Sequence, residues 1–174
     1  MARIRQNDER LSDILAQLIE SIGEVEIAIE KLTVDQDIPK RVAEALACGL
    51  DFFPKRYEAN AGTLGSEGQI RLLESKVLVA GLGGLGGHVV EQLVRCGVGE
   101  LVGVDADNFD ESNLNRQIYS DLNTIGLSKT EVTGKRVAKI NDAVEFYPLT
   151  RKVEDLEGNA YDGVDLIFDC LDSI

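Results

Sequence analysis

Residues 76–86 read Lys76-Val77-Leu78-Val79-Ala80-Gly81-Leu82-Gly83-Gly84-Leu85-Gly86. Val77 to Ala80 is a short apolar run of the buried-strand kind, and Gly81 to Gly86 satisfies G-x-G-x-x-G. A helical pattern follows through Val89, Val90, Leu93 and Val94 to Gly97. Strand, glycine turn and helix in this order make a phosphate-binding corner. Gly81 permits the tight turn, Gly83 lets a phosphate approach the backbone, and Gly86 lets the helix pack close to the strand. The free N–H groups and positive dipole end of the helix favour an anion there. Asp105 lies 19 residues after Gly86, close to the roughly 20 expected of an acidic residue that binds ribose hydroxyls. No Gly-Lys-Ser or Gly-Lys-Thr follows, so this is not a P-loop. Phosphates and ribose are common to NAD, FAD and ATP, and the turn alone does not choose among them.

The same period extends downstream. Leu101-Val102-Gly103-Val104 reads as a second strand ending at Asp105, and a polar loop leads to a helix opened by Ser128. Glu131, three residues on, completes the pattern of a capping box. Third and fourth strands are predicted at Val144 to Leu149 and at Leu166 to Phe168. Strands alternating with helices predict an α/β fold: a Rossmann-like parallel sheet with crossover helices, the first half of a doubly wound sheet.

Upstream, the text is helical. Leu11, Ile14, Leu15, Leu18, Ile19, Ile22, Val25 and Ile29 make one apolar stripe at helical spacing, read as a single helix. A shorter helix is bounded by Pro39 and Gly49. After an irregular stretch, Ser66 to Gln69 fits another capping box. The organisation predicted is an N-terminal helical arm over 1–53, serving packing or dimerisation, and a nucleotide-binding domain over 54–174.

Composition narrows the function. The 174 residues carry 18 basic and 31 acidic side chains, a net charge of −13, with 44% hydrophobic residues. Nucleic acid is bound through clustered Lys and Arg; none cluster here, so no nucleic-acid partner is expected. No apolar stretch approaches the roughly 18 residues of a membrane span. Asp8, Glu9 and Asp13 interrupt any signal-peptide core. Cys48, Cys96 and Cys170 are scattered and form no CxxC, which speaks against a zinc motif and for a reducing, cytoplasmic location. All three are expected to be buried rather than nucleophilic. His88, the single histidine, has no carboxylate or nucleophile beside it in sequence and is read as a structural or solvent-facing helix residue.

The loop after Asp105 decides more. It reads Asp105-Ala106-Asp107-Asn108-Phe109-Asp110-Glu111-Ser112-Asn113-Leu114-Asn115-Arg116-Gln117, and Lys129 then opens a helix, where a cation gains nothing from the dipole. Asp169-Cys170-Leu171-Asp172 closes the fourth strand. Together with Arg56-Tyr57, Gly65 to Leu73 (GSEGQIRLL), the glycine turn, Ser112 to Gln117 (SNLNRQ) and Gly126 to Lys129 (GLSK), these motifs match in order and spacing. From about Arg56 to Asp172 the chain resembles the ThiF/MoeB/HesA-type adenylyltransferases, relatives of ubiquitin-activating enzymes.

The resemblance implies use of ATP and Mg²⁺ to convert the C-terminal glycine of a small ubiquitin-like or sulfur-carrier protein, ending in Gly-Gly, into an acyl adenylate. Carried over by position, Gly81, Gly83, Gly84, Gly86, Asp105 and Asp107 would hold ATP, with Asp105 on the ribose. Asn113, Arg116, Gln117 and Lys129 would complete the nucleotide site, with Asn113, Arg116 and Lys129 on the phosphates. Asp172 would hold Mg²⁺, and Arg116, Lys129 and Asp172 would be the catalytic set. The resemblance also implies a homodimer.

The chain departs from the family pattern at three places. The family's Arg-Tyr-x-Arg-Gln, whose second Arg reaches the partner's ATP site, is here Arg56-Tyr57-Glu58-Ala59-Asn60. The paired zinc cysteines of many members are absent. The text stops at Ile174, where members run on, so a nucleotide-binding half is expected. Two other functions compete: an NAD(P)-binding oxidoreductase domain, which leaves SNLNRQ, Lys129 and Asp172 idle, and a non-catalytic partner that holds nucleotide or carrier.

Overall fold

The computed structural model describes residues 9–172. They divide into two units, one ending at Glu74 and the other beginning at Ser75. This division is one of packing, whereas a boundary after 53 is one of motifs.

In the first unit, α1 (Glu9–Ile22), α2 (Val25–Gln36) and α3 (Lys40–Gly49) bury Leu15, Ile19, Ala28, Ile29, Leu32, Ala43, Leu46 and Ala47 together. The apolar stripe expected to run through Ile29 as one helix is split. Gly23 takes φ +79°, a left-handed value that turns the chain between α1 and α2. Pro39, expected just inside the start of α3, stands one residue earlier, at its N-cap. The helix α4 (Glu58–Glu74) is interrupted by a non-helical Gly65. The Ser66 hydroxyl donates to the Asp51 carboxylate at 3.0 Å, and the buried Gln69 amide oxygen accepts from Asn60 at 2.8 Å. Tyr57, wholly buried, donates its hydroxyl to Glu44 at 2.9 Å, and Arg56 lies 3.6 Å from the same carboxylate. Residues 56–73 are thereby fastened to α3, with Tyr57, Ile70 and Leu73 packed on Ala45 and Cys48.

The second unit is a four-stranded, all-parallel sheet with order β3-β2-β1-β4: β1 (Lys76–Ala80), β2 (Glu100–Val104), β3 (Glu145–Leu149) and β4 (Leu166–Asp169). All four strands fall where the sequence predicts them, within a residue or two at each end. β1 and β2 are almost wholly buried, as parallel strands covered on both faces must be. β3 is an edge strand, which accommodates Pro148 and its missing N–H. The crossover helices α5 (Gly84–Cys96) and α6 (Lys129–Ile140) are tied together by Glu91. Its carboxylate, 6% exposed, accepts from Arg95 at 2.6 Å and from Arg136 at 2.8 Å. Leu78, Ala80, Val102 and Val104 pack with Val153, Leu156 and Val164 of the β3–β4 connection.

This architecture is the Rossmann-like α/β fold expected. Successive crossovers carry the chain from β1 to β2 to β3, and β4 then lands on the opposite side of β1. The switch point lies between β1 and β4, and ligands of such sheets gather there, beyond the carboxyl ends of the strands.

Candidate functional site

The ladder continues one residue past the strands. The Gly81 N–H donates to the Val104 carbonyl at 2.8 Å, and the Cys170 N–H donates to the Ala80 carbonyl at 2.8 Å. These bonds set the glycine turn, Asp105 and the start of the Asp169–Asp172 segment side by side at the carboxyl end of the sheet. Gly81 has φ +87°, and a Cβ there would stand 2.8 Å from the Cys170 carbonyl oxygen. At Gly86 a Cβ would overlap the Gly81 carbonyl oxygen outright. Neither position has room for a side chain, as the sequence argument requires.

Asp105 closes the turn. Its Oδ2 accepts the Leu82 N–H at 2.8 Å and its Oδ1 accepts the Asp107 N–H at 2.9 Å. A carboxylate offers about four lone-pair sites, so each oxygen keeps one for a further donor. That fits a ribose diol, which brings two hydroxyls.

Lys129 explains its place at a helix start. Its side chain is 8% exposed, with Nζ 3.0 Å from Asp107 Oδ2 and 3.7 Å from Asp105 Oδ2. Two carboxylates therefore offset the unfavourable dipole. The Ser128 hydroxyl, expected as a cap, makes no capping bond; it pairs with the Thr130 hydroxyl at 2.9 Å. Ser128 instead forms an isolated antiparallel bridge with Asn108, which fastens the loop to α6.

The SNLNRQ segment folds over the turn. Asp110 caps a short 3-10 turn, Glu111–Asn113, and the Asn113 Oδ1 accepts the Asp110 N–H at 3.0 Å. In this reciprocal cap Asn replaces the usual Glu or Gln at the third position, so the local sequence lacks the common signature. Asn113 is buried and therefore fixed in orientation. Arg116 is exposed, and its guanidinium donates to the Ser112 carbonyl at 2.9 Å and to Asn115 at 3.0 Å. Its stem passes Gly84, where a Cβ would lie 3.6 Å from Arg116 Cγ. Gln117 is buried beside Gly83, with Nε2 3.4 Å from where a Cβ would be. The Gln117 Oε1 has no hydrogen-bond partner among the described residues. An orphaned buried acceptor costs about 1–3 kcal/mol, and a donor from a bound molecule at the turn would relieve it.

Asp172 is exposed, two residues beyond the Cys170 carbonyl that abuts Gly81. Among the described residues no group of three or more His, Cys, Asp or Glu could hold a metal by itself. Mg²⁺ takes one or two carboxylates and fills its shell with water and phosphate oxygens, and Asp172 supplies one exposed carboxylate of that kind. His88 is exposed. Cys48 is buried, and burial together with Glu44 pushes its thiol up to about 12. Cys170 is half-buried and also raised by burial. Cys96 differs from expectation: it ends α5 on the surface and is exposed.

Gly81, Gly83, Gly84, Gly86, Asp105, Asp107, Lys129, Asn113, Arg116, Gln117 and Asp172 come from distant stretches of chain. The ThiF family model matches residues 57–174. The chain belongs to the ThiF family. It is 38% identical over 113 residues to the SAMP-activating enzyme E1 of Haloferax volcanii, covering 63% of this chain and 41% of that protein. It is 38% identical over 114 residues to the adenylyltransferase and sulfurtransferase UBA4 of Saccharomyces cerevisiae, covering 64% and 26%. Among solved structures, E. coli tRNA N6-threonylcarbamoyladenosine dehydratase, TcdA, in complex with ATP, matches with a TM-score of 0.66 and 27% identity, over 69% of this chain and 50% of that one. The chain thus spans half or less of the length of these relatives.

Proposed function

We propose that this ThiF-family chain is the nucleotide-binding part of an adenylyltransferase. It would activate the C-terminal glycine carboxylate of a small ubiquitin-like or sulfur-carrier protein with ATP. The observation that carries the reading is the convergence of the glycine turn, Asp105, Lys129 and the Asn113–Gln117 segment at the carboxyl end of the sheet. A dehydrogenase would need the turn and Asp105 but has no use for Arg116 and Lys129. Relatives named for adenylyl transfer and for activating a carrier support the reaction class, and a relative solved with ATP supports the nucleotide.

In this reaction a carboxylate oxygen bonds to the α-phosphorus as the bond to pyrophosphate breaks. No protein nucleophile is required; positioning and stabilisation of the charge that develops on phosphate oxygens suffice. Asp105 would orient the ribose. The N–H groups at the start of α5 would face the phosphates. Arg116 would supply planar, paired donors and Lys129 a compact charge. Asp172 would hold Mg²⁺, which when bound neutralises phosphate charge.

A modified tRNA nucleoside is the substrate class suggested by the dehydratase relative. The net charge of −13 and the lack of a basic cluster favour a protein carrier instead. ATP–pyrophosphate exchange on the full-length protein separates the readings. Exchange that depends on a carrier ending in Gly-Gly is expected, and Asp172→Asn is expected to depress it. Exchange indifferent to Asp172→Asn removes the metal assignment. Tight NAD binding without ATP binding moves the chain to the oxidoreductases.

A further inference from the structure

Asp107 faces two groups of the site at once. Its carboxylate takes the Lys129 ammonium at 3.0 Å, and its backbone carbonyl accepts the Lys129 N–H at 3.0 Å. Its own N–H goes to Asp105 at 2.9 Å. The Lys129 stem therefore starts from a fixed point, and its tip has two carboxylates to choose between. The contact with Asp107 is a hydrogen bond. The contact with Asp105, at 3.7 Å, is an ion pair outside hydrogen-bond range. A small swing of Nζ would turn it into a bond.

That choice matters for Asp105. Each of its oxygens already accepts one backbone N–H and keeps one free lone pair, the number a vicinal diol uses. Were Lys129 to close on Oδ2, one of the two would be lost. The Asp107 side chain is 71% exposed, so neutralising it opens no cavity.

We propose that Asp107 is a positioning residue, whose carboxylate draws the Lys129 ammonium off Asp105 and so keeps that carboxylate open to the ribose of a bound nucleotide. The proposal rests on the nucleotide reading above and gives Asp107 a task distinct from touching ATP.

Titration calorimetry of the full chain with adenosine, and separately with ATP, tests it. Asp107→Asn is expected to weaken adenosine binding about ten-fold, the equivalent of about 1.4 kcal/mol. Asp107→Glu, which keeps the charge, should stay close to wild type. The double variant Asp107→Asn/Lys129→Gln should regain adenosine binding while ATP binding stays weak, because the competing ammonium is gone and the phosphates have lost a charge. A merely structural Asp107 would show no such rescue. Unchanged adenosine affinity in Asp107→Asn, or a double variant no better than the single one, overturns the proposal. So does a lost thermal unfolding transition in Asp107→Asn that the double variant fails to restore. If the wild type binds neither adenosine nor ATP, the nucleotide reading falls as well; if it binds both, only the role of Asp107 is at stake.

Discussion

Replacing Gly86 by Ala tests the corner on which the site is built. A Cβ at Gly86 would overlap the Gly81 carbonyl oxygen, stand 2.8 Å from the Gly81 carbonyl carbon and meet Cys170 Cβ at 3.4 Å. The first two are backbone atoms at the end of β1 and cannot rotate away. Gly81 is further held by its N–H bond to Val104, so α5 must lift from the sheet. Overpacking a well-filled site costs typically 1–3 kcal/mol, and with a backbone obstacle the upper end, about 3 kcal/mol, is expected. Gly84→Ala is the control. There the nearest atom is Arg116 Cγ at 3.6 Å, an ordinary contact, and Ala in a helix is favoured over Gly by roughly 0.5–1 kcal/mol. Urea unfolding followed by circular dichroism should separate the two: a midpoint well below wild type for Gly86→Ala, and one at or above it for Gly84→Ala. Equal midpoints for wild type and Gly86→Ala would refute the close approach of α5 to β1.

Other outcomes follow from the same geometry. Arg116→Ala should lower carrier-dependent ATP–pyrophosphate exchange on the order of 10²-fold, the scale of one lost transition-state donor; an intact rate would remove Arg116 from the site. Glu91→Gln should destabilise the chain by about 1–3 kcal/mol at pH 7, since two guanidinium groups lose their carboxylate. Hydrogen bonds from Arg136, then from Arg95, hold the Glu91 carboxyl below its ordinary value. Its stabilisation is therefore complete above that value, about 4.3, and fades as pH falls through the lowered one. Unfolding of wild type and variant at pH 7 and pH 3.5 should show the gap narrowing; a constant gap would contradict the charge argument. Thiol labelling at pH 8 should modify Cys96 readily in the native chain and Cys48 only after unfolding. Equal rates would contradict the burial of Cys48.

Much of the fold was legible because its signals are local. Apolar runs at 77–80, 101–104, 144–149 and 166–168 announce strands, and the glycine spacing announces the turn between β1 and α5. Local patterns also misled. The stripe from Leu11 to Ile29 has one helical period, but the left-handed Gly23 breaks it into two helices. Ser128 and Glu131 have capping-box spacing, but the serine hydroxyl is drawn to Thr130. Cys96 looks like a core thiol at a helix end, but whether a helix end faces core or solvent depends on what packs beside it.

The amino-acid sequence by itself determined the glycine corner, the alternation of strands and helices, and the residue types of the candidate site, since each is written in neighbouring residues with a fixed period. Tertiary structure alone decided which of those residues meet. β4 lands beside β1 rather than β3, so Cys170 and Leu171 abut Gly81. Lys129 finds Asp107 across 22 residues of chain, a pairing that has no period to betray it. Contacts between distant segments depend on crossover and register, and they become visible only when the sheet closes.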